Sequence, residues 1–148
     1  MKATFFYTNN SWSPTILRLL LGLVLLGHGT QKLFGWLGGY GFEGTMNFFT
    51  QSVGLPWVIG FLVIIIEFFG ALALIFGFAT RIVSIGLIAL FAGIVFTGHL
   101  DHGFFMNWNG QQKGEGYEYH LLVIGMALSL LVSGAGKWSA DYAIQKKA

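Results

Sequence analysis

Apolar residues in this chain come in four long blocks and do not alternate with polar ones. The blocks cover about residues 14–34, 57–78, 81–99 and 118–135. Each is close to the roughly 20 predominantly apolar residues that a helix needs to cross a hydrocarbon core about 30 Å thick. The pattern therefore predicts an all-α integral membrane four-helix bundle, with residues 1–148 forming one domain.

Composition agrees with a membrane environment. Hydrophobic residues make up 55% of the 148 residues and charged residues only 9%, which a soluble domain of this size could not bury. The formal net charge is +2 and no basic patch is visible, so no nucleic-acid partner is expected. Lys2 is the only charged residue before the first block, and no small-residue cleavage pattern follows the block. We therefore expect the block to remain as a span and not to be removed as a signal peptide.

The distribution of basic residues predicts the orientation. Of eight lysines and arginines in all, only Lys113 lies in the longer loops 35–56 and 100–117, and only Lys32 lies just before one of them. By the positive-inside rule, both termini face the cytoplasm and these loops face outward from the cell (inner) membrane. The six basic residues on the cytoplasmic side are Lys2, Arg18, Arg81, Lys137, Lys146 and Lys147.

Two further patterns have structural interpretations. Arg18 and Arg81 lie near cytoplasmic span ends, where an arginine can reach the lipid headgroups, so we interpret both as anchors. Small residues recur at every fourth position in the third and fourth spans, which predicts helix-packing faces. These residues are Ala89, Gly93 and Thr97 in one span and Gly125, Ser129 and Ser133 in the next.

Glu67 lies near the middle of the second span, with mostly apolar residues on both sides. An acidic residue there costs roughly 2.5–3.5 kcal/mol on insertion scales. It must therefore face the bundle and find a polar partner. Because burial disfavours the charged carboxylate, we expect a neutral hydrogen-bond donor or a proton carrier. A purely structural hydrogen bond to a neighbouring helix is the alternative.

The first span offers partners for Glu67. In the stretch GHGTQKLFG, His28, Gln31 and Lys32 are spaced at i, i+3 and i+4, which places them on one helical face near the outer end.

Three histidines from different spans reach the same level. His28, His99 and His120 all lie within about two helical turns, roughly 10 Å, of the outer face. His120 and Tyr119 close the polar stretch GEGYEYH that opens the fourth span. We therefore predict a site in the outer half of the bundle. Its predicted catalytic residues are Glu67, His28 and His120, and its predicted ligand-binding residues are Lys32, Gln31, His99 and Tyr119.

Cysteine is absent from the sequence. No disulfide, thiolate nucleophile, iron–sulfur cluster or cysteine-linked haem can be built from this chain. Any redox chemistry therefore needs a bound cofactor or a partner.

Several motifs together resemble the DoxX family. They are HGTQKLFGWLGGYG after the first span, a mid-span glutamate followed by FFGALALIFGFATR, the outer H-x-x-H-G-F-F, EGYEYHLL, and the closing SGAGKWSAD. The resemblance covers about residues 14–141. It implies a membrane oxidoreductase component. Through relatives that include the small subunit of thiosulfate:quinone oxidoreductase, it also implies a quinone-linked role. Since the chain has no cysteine, thiosulfate itself is not carried over as a substrate.

Three hypotheses follow for the polar site. A quinone head group could take hydrogen bonds from the histidines, Lys32 and Tyr119, apolar contact from Phe34, Phe68 and Phe69, and protons through Glu67. This function requires an electron donor, either a partner redox protein or a second cofactor. Association of the chain with copies of itself, as a homo-oligomer, is an alternative to a partner protein.

The two other hypotheses use the same residues differently. The histidines and Glu67 could hold a metal ion or haem, although no short spacing such as HxxxH occurs. Alternatively the protein is a non-catalytic membrane subunit or a small-solute or proton carrier, in which Glu67 binds a proton or fixes the second helix.

Overall fold

Four apolar helices pack side by side in the computed structural model, which describes residues 5–147. The helices, including two short ones outside the bundle, are α1 (Trp12–Phe34), α2 (Gly41–Asn47), α3 (Trp57–Phe76), α4 (Thr80–His102), α5 (Glu118–Ser133) and α6 (Ala140–Gln145). Helices α1, α3 and α4 are each long and apolar enough to cross a membrane. α5 is also apolar but has 16 residues, about 24 Å of helix.

The predicted all-α membrane bundle is confirmed, with span ends that differ by a few residues. α1 and α4 each pack against both α3 and α5, so the four helices form a closed ring around a core made mainly of leucines and alanines. α3 ends at Phe76, two residues before the predicted end, because Gly77 takes the left-handed conformation with φ 64°. α4 continues to His102 through a π-helical and a 3₁₀ turn.

Both ends of the described chain meet at one end of the bundle. The backbone N–H of Asn9 donates to the carbonyl of Ser133 at 3.1 Å, so the start of α1 lies beside the end of α5. We call this the terminal end and the opposite one, with loops 35–56 and 100–117, the loop end. The assignment of the terminal end to the cytoplasm stays a prediction. Lys2, one of the six residues behind it, lies outside the described residues.

Close backbone contact between α1 and α3 depends on two glycines of α1. A Cβ added at Gly29 would lie 2.7 Å from the Cα of Phe68, and one at Gly22 would lie 2.9 Å from Cγ1 of Ile75. Any larger residue at Gly29 would push the two backbones apart. Such contacts provide the van der Waals packing that holds helices together in lipid.

The small-residue faces of α4 and α5, which were predicted to pack against other helices, point outward from the bundle. A Cβ added at Gly93 or Gly125 would meet nothing within 4 Å, and both residues are exposed on the surface of the bundle. The prediction that these small residues mediate packing is therefore wrong for contacts within this chain. Four-residue spacing identifies one face of a helix, but it does not say whether that face points inward.

Arg18 is the clearest correction to the sequence interpretation. Its side chain is only 1% exposed, and its guanidinium donates hydrogen bonds to backbone carbonyls at the end of α3 and in the segment after α5. The acceptors are Leu74 (2.9 Å), Ile75, Ala135 (2.8 Å), Lys137 (3.2 Å) and Trp138 (2.7 Å). Arg18 is therefore not a headgroup anchor. The segment after α5 folds back over the bundle and buries it.

Arg81 and Asp141 complete the fastening of the terminal end. Arg81 is half-buried and donates to the carbonyls of Tyr7 and Val132 at 3.2 and 2.9 Å. The Asp141 carboxylate accepts from the backbone N–H groups of Ala79 (2.7 Å) and Thr80 (2.9 Å), which would otherwise lack partners at the start of α4. The closing motif SGAGKWSAD thus ties the start of α4 to the end of the chain.

We predict that Arg18→Met lowers the free energy of unfolding by about 3 kcal/mol or more, because several buried carbonyls lose their donor. Arg81→Met, at a more exposed site, should cost about 1 kcal/mol. Denaturant unfolding of both variants in the same detergent checks this. Equal costs for the two variants would show that the buried guanidinium does not hold the terminal end.

Candidate functional site

A cavity of about 390 Å³ opens at the loop end, between all four bundle helices. Small-molecule sites commonly have volumes of roughly 300–1,000 Å³. The polar wall of the cavity is formed by His28, Lys32, Glu67, His99, Tyr119 and His120. Its apolar wall is formed mainly by Phe48, Phe49, Val53, Leu55 and Phe91. Segment 48–55, which follows α2, covers the cavity from the loop end.

The structure brings six of the seven predicted site residues to this cavity. Gln31 is the exception. Its side-chain nitrogen donates to the carbonyl of Leu37 at 3.1 Å and holds the turn after α1.

The apolar wall differs from the expectation. Phe34 packs edge-on against Phe68 with ring centroids 5.3 Å apart, and Phe69 is exposed. None of these three phenylalanines lines the cavity, whose aromatic contacts come from Phe48, Phe49 and Phe91.

Lys32 is the partner that Glu67 needs inside the membrane span. Its Nζ lies 2.6 Å from Oε2 of Glu67, and the two side chains are 24% and 4% exposed, respectively. A short hydrogen bond between charged groups is among the strong ones. The close approach at Gly29 allows it, because Gly29 packs on the backbone of residues 67 and 68 less than one turn before Lys32.

Three π-helical turns in the described chain contribute to the cavity wall. They are Phe48–Ser52, Ile66–Gly70 with Glu67, and Val95–His99 with His99 at its end. A π turn accommodates an extra residue, which rotates the following side chains relative to a regular α-helix, and such turns are frequent at functional sites. Here they help to direct Glu67 and His99 toward the cavity.

Aromatic rings form a continuous series along one side of the cavity. The ring of His120 lies 4.2 Å from that of His99 and 5.7 Å from that of Tyr119, and Tyr119 lies 6.4 Å from His28, measured between centroids. His99 Nδ1 is 2.8 Å from the carbonyl oxygen of Glu115. Since a carbonyl only accepts, Nδ1 carries the hydrogen, and Nε2 of neutral His99 is an acceptor.

The loop before α5 is fixed by its own carboxylates. Oε1 of Glu118 accepts from the backbone N–H of Met106 (3.0 Å) and from the indole of Trp108 (3.2 Å). Oε2 of Glu115 accepts from the backbone N–H of Asn107 at 2.7 Å. These bonds hold the Glu115 carbonyl in place beside His99.

Two buried polar atoms of cavity-lining residues have no hydrogen-bond partner within residues 5–147. They are the Tyr119 hydroxyl and Nδ1 of His120, a residue that is only 6% exposed. A buried polar group without a partner costs about 1–3 kcal/mol. A ligand in the cavity that bonded to either atom, after a small rotation of the side chain, would remove this cost.

No preformed cluster of ligands in the described residues supports the metal hypothesis. Among residues 5–147, no three histidine, aspartate or glutamate side chains lie close enough together to hold one metal ion. Glu67 is already engaged by Lys32.

The sequence model of the DoxX family matches residues 13–100, the first three bundle helices with the ion pair and His99. The chain belongs to the DoxX family. Outside the matched range, α5 contributes Tyr119 and His120 to the cavity. The cavity thus draws on both the matched and the unmatched part of this DoxX protein.

Two curated relatives are similar to this chain, and the name of one of them supports a membrane location. The chain is 34% identical over 134 residues to "Inner membrane protein YqjF" of Escherichia coli (strain K12), covering 89% of this chain and 92% of that protein. It is 31% identical over 115 residues to "Putative oxidoreductase CatD" of Bacillus subtilis (strain 168), covering 78% and 75%, respectively. No solved structure matches this chain significantly. It is thus a DoxX-type membrane protein.

We predict strong coupling between Lys32 and Glu67. Lys32→Met or Glu67→Leu alone should lower the free energy of unfolding by about 3–5 kcal/mol, because each leaves one charge buried without its partner. The double variant should cost much less than the sum. Unfolding of the four proteins in one detergent measures this cycle.

The control cycle uses Lys113→Met in the loop before α5 and Glu43→Leu in α2, two exposed residues that form no ion pair with one another. Their effects should be small and additive. Additive costs at Lys32 and Glu67 as well would contradict the assignment of the contact as a mutually stabilising pair.

Proposed function

We propose that this protein is a quinone-binding component of a membrane oxidoreductase and that the quinone head group occupies the loop-end cavity. The observation that carries the proposal is the convergence of all four bundle helices on one aromatic-walled cavity. Three histidines, a tyrosine and a lysine–glutamate pair surround it. The relative named as an oxidoreductase supports the same function.

The residues present fit a quinone head group, which is a flat ring with two carbonyl oxygens. Phe49 and Phe91 offer apolar contact to the ring. The Tyr119 hydroxyl is buried and has no partner among the described residues, and it can donate to one oxygen once the side chain rotates slightly toward the cavity. Lys32 has three donors, of which one is directed at Glu67, so it can donate to the other oxygen.

Proton exchange is the second task of the site, because reduction of a bound quinone consumes two electrons and two protons. Lys32 and Glu67 lie 2.6 Å apart and line the cavity, so this pair can deliver a proton to a ligand oxygen. His99 and His120 add two imidazole groups to the cavity wall, and imidazole can act as a general acid or base.

Electrons must come from outside this chain. It has no cysteine and cannot ligate an iron–sulfur cluster through thiolates. The proposed function therefore includes a partner redox protein or a second bound cofactor. With the terminal end in the cytoplasm, as the basic residues predict, the cavity lies in the outer half of the membrane.

A second candidate is a non-catalytic subunit or proton carrier, favoured by the Lys32–Glu67 pair alone. That pair joins α1 to α3, a structural role that needs no ligand. In this case Glu67→Gln impairs assembly or proton flux, and the wild-type protein binds no quinone.

We predict that Tyr119→Phe weakens binding of a short-chain quinone to the purified protein by about tenfold, the loss of one buried hydrogen bond. The melting temperature should not fall, because the hydroxyl has no partner among the described residues. Equilibrium titration and a melting curve on the same sample measure both quantities.

Tyr117→Phe is the matched control, since Tyr117 packs on Phe104 and does not line the cavity. His120→Ala should reduce quinone retention and alter cellular redox phenotypes. Two results together would overturn the proposal. The wild-type protein would retain no quinone, alone or with partners, and His120→Ala would leave cellular redox phenotypes unchanged.

A further inference from the structure

A second cleft lies at the terminal end, at the opposite side of the membrane from the proposed quinone site. Its volume is about 550 Å³, and Lys137 and Lys146 are on its walls together with Asn10, Ser139 and Tyr142. It is formed by the segment after α5, by α6 and by the residues just before α1. The proposed function makes no use of it.

The two lysines give this cleft a positive charge that no acidic side chain within residues 5–147 pairs with. Lys137 Nζ lies 5.2 Å from the centroid of the Trp12 ring, and Lys146 Nζ lies 4.6 Å from that of Tyr142. Neither forms an ion pair within residues 5–147. Asp141 lies between them in the sequence, but its oxygens are occupied by backbone N–H groups at the start of α4. An anion can therefore approach both ammonium groups without displacing a carboxylate.

The wall that carries Lys137 is held rigidly. Its backbone N–H donates to the carbonyl of Ser11 at 3.1 Å, and its carbonyl accepts from Thr15 Oγ1 at 2.9 Å and from Arg18 at 3.2 Å. A ligand here does not have to order the backbone at this point, which lowers the entropy cost of binding.

Trp138 places the cleft at the membrane interface. Its side chain is 81% exposed and meets the ring of Trp12 edge-on, with centroids 4.9 Å apart. Its backbone has a φ of 53°, a conformation that is uncommon for a bulky residue and that the hydrogen bond from Arg18 helps to hold. Tryptophan side chains are enriched at the headgroup level, so this pair sets the depth of the cleft.

We propose that this cleft binds the phosphate group of an anionic phospholipid. Lys137 and Lys146 contact the phosphate, and the exposed face of Trp138, which also lines the cleft, contacts the upper acyl chains. Position decides between a lipid and a soluble anion, because the cleft lies at the level where spans end and headgroups begin. On the predicted cytoplasmic side, anionic lipids are also drawn to lysines near the surface.

Binding of such a lipid should stabilise the protein, since the cleft wall belongs to the same segment that buries Arg18 and caps α4. The test adds phosphatidylglycerol to purified full-length protein in neutral detergent and measures the melting temperature and, by native mass spectrometry, bound lipid. Wild type should gain stability with phosphatidylglycerol and much less with phosphatidylcholine. The double variant Lys137→Gln/Lys146→Gln should bind phosphatidylglycerol roughly 30-fold more weakly, about fivefold per lysine.

The control removes two charges outside the cleft, in the variant Lys113→Gln/Lys147→Gln, and should keep nearly the wild-type affinity. Equal losses in the two variants would show that general surface charge attracts the lipid and would overturn the assignment to the cleft. An equal stability gain from inorganic phosphate at the same concentration would also overturn it, in favour of a soluble anion. An unchanged lipid affinity in Lys137→Gln/Lys146→Gln would refute it directly.

Discussion

The contact between Lys32 and Glu67 is the interaction on which the rest of the loop end depends. A glutamate in the middle of an apolar span is costly unless another helix supplies a partner, and the 2.6 Å contact supplies it. It forms only because Gly29 lets α1 meet the backbone of α3. Once these two helices are joined, His28 and Lys32 face the same space as Glu67, and α4 and α5 close it with His99, Tyr119 and His120.

The two ends of the bundle satisfy their polar groups in different ways. At the terminal end, Arg18 and Asp141 are almost fully buried, and every hydrogen bond found for their side chains is to the backbone. This arrangement fastens the helices together without forming a reactive site. At the loop end, polar side chains face a cavity, and two of their atoms have no partner in the described chain. A rigid terminal end thus supports a loop end whose cavity, we propose, holds a ligand.

Hydropathy and charge predicted the parts of this protein that depend on local composition. The four helices and the need for a partner to Glu67 follow from block length and from the cost of a buried acid. The histidines could be placed at one level because helix direction alternates along the chain. The sequence does not show how each helix is rotated about its own axis. For that reason Gly93 and Gly125 were assigned to packing although they face outward, and Gln31 was assigned to a site that it does not line.

Other features depended on contacts between distant segments. Arg18 reads as a headgroup anchor until the segment after α5 folds back over it. Phe48 and Phe49 reach the cavity because segment 48–55 folds over the loop end, and no local pattern signals this.

We propose above all that the loop-end cavity holds a quinone head group. Photolabelling of the membrane-embedded protein with a photoreactive quinone analogue, followed by mass spectrometry, tests it most directly. We expect labels on peptides carrying Phe91, Tyr119 or His120 that excess quinone suppresses. Labels confined to outward-facing residues, or labels that excess quinone leaves unchanged, would contradict the account.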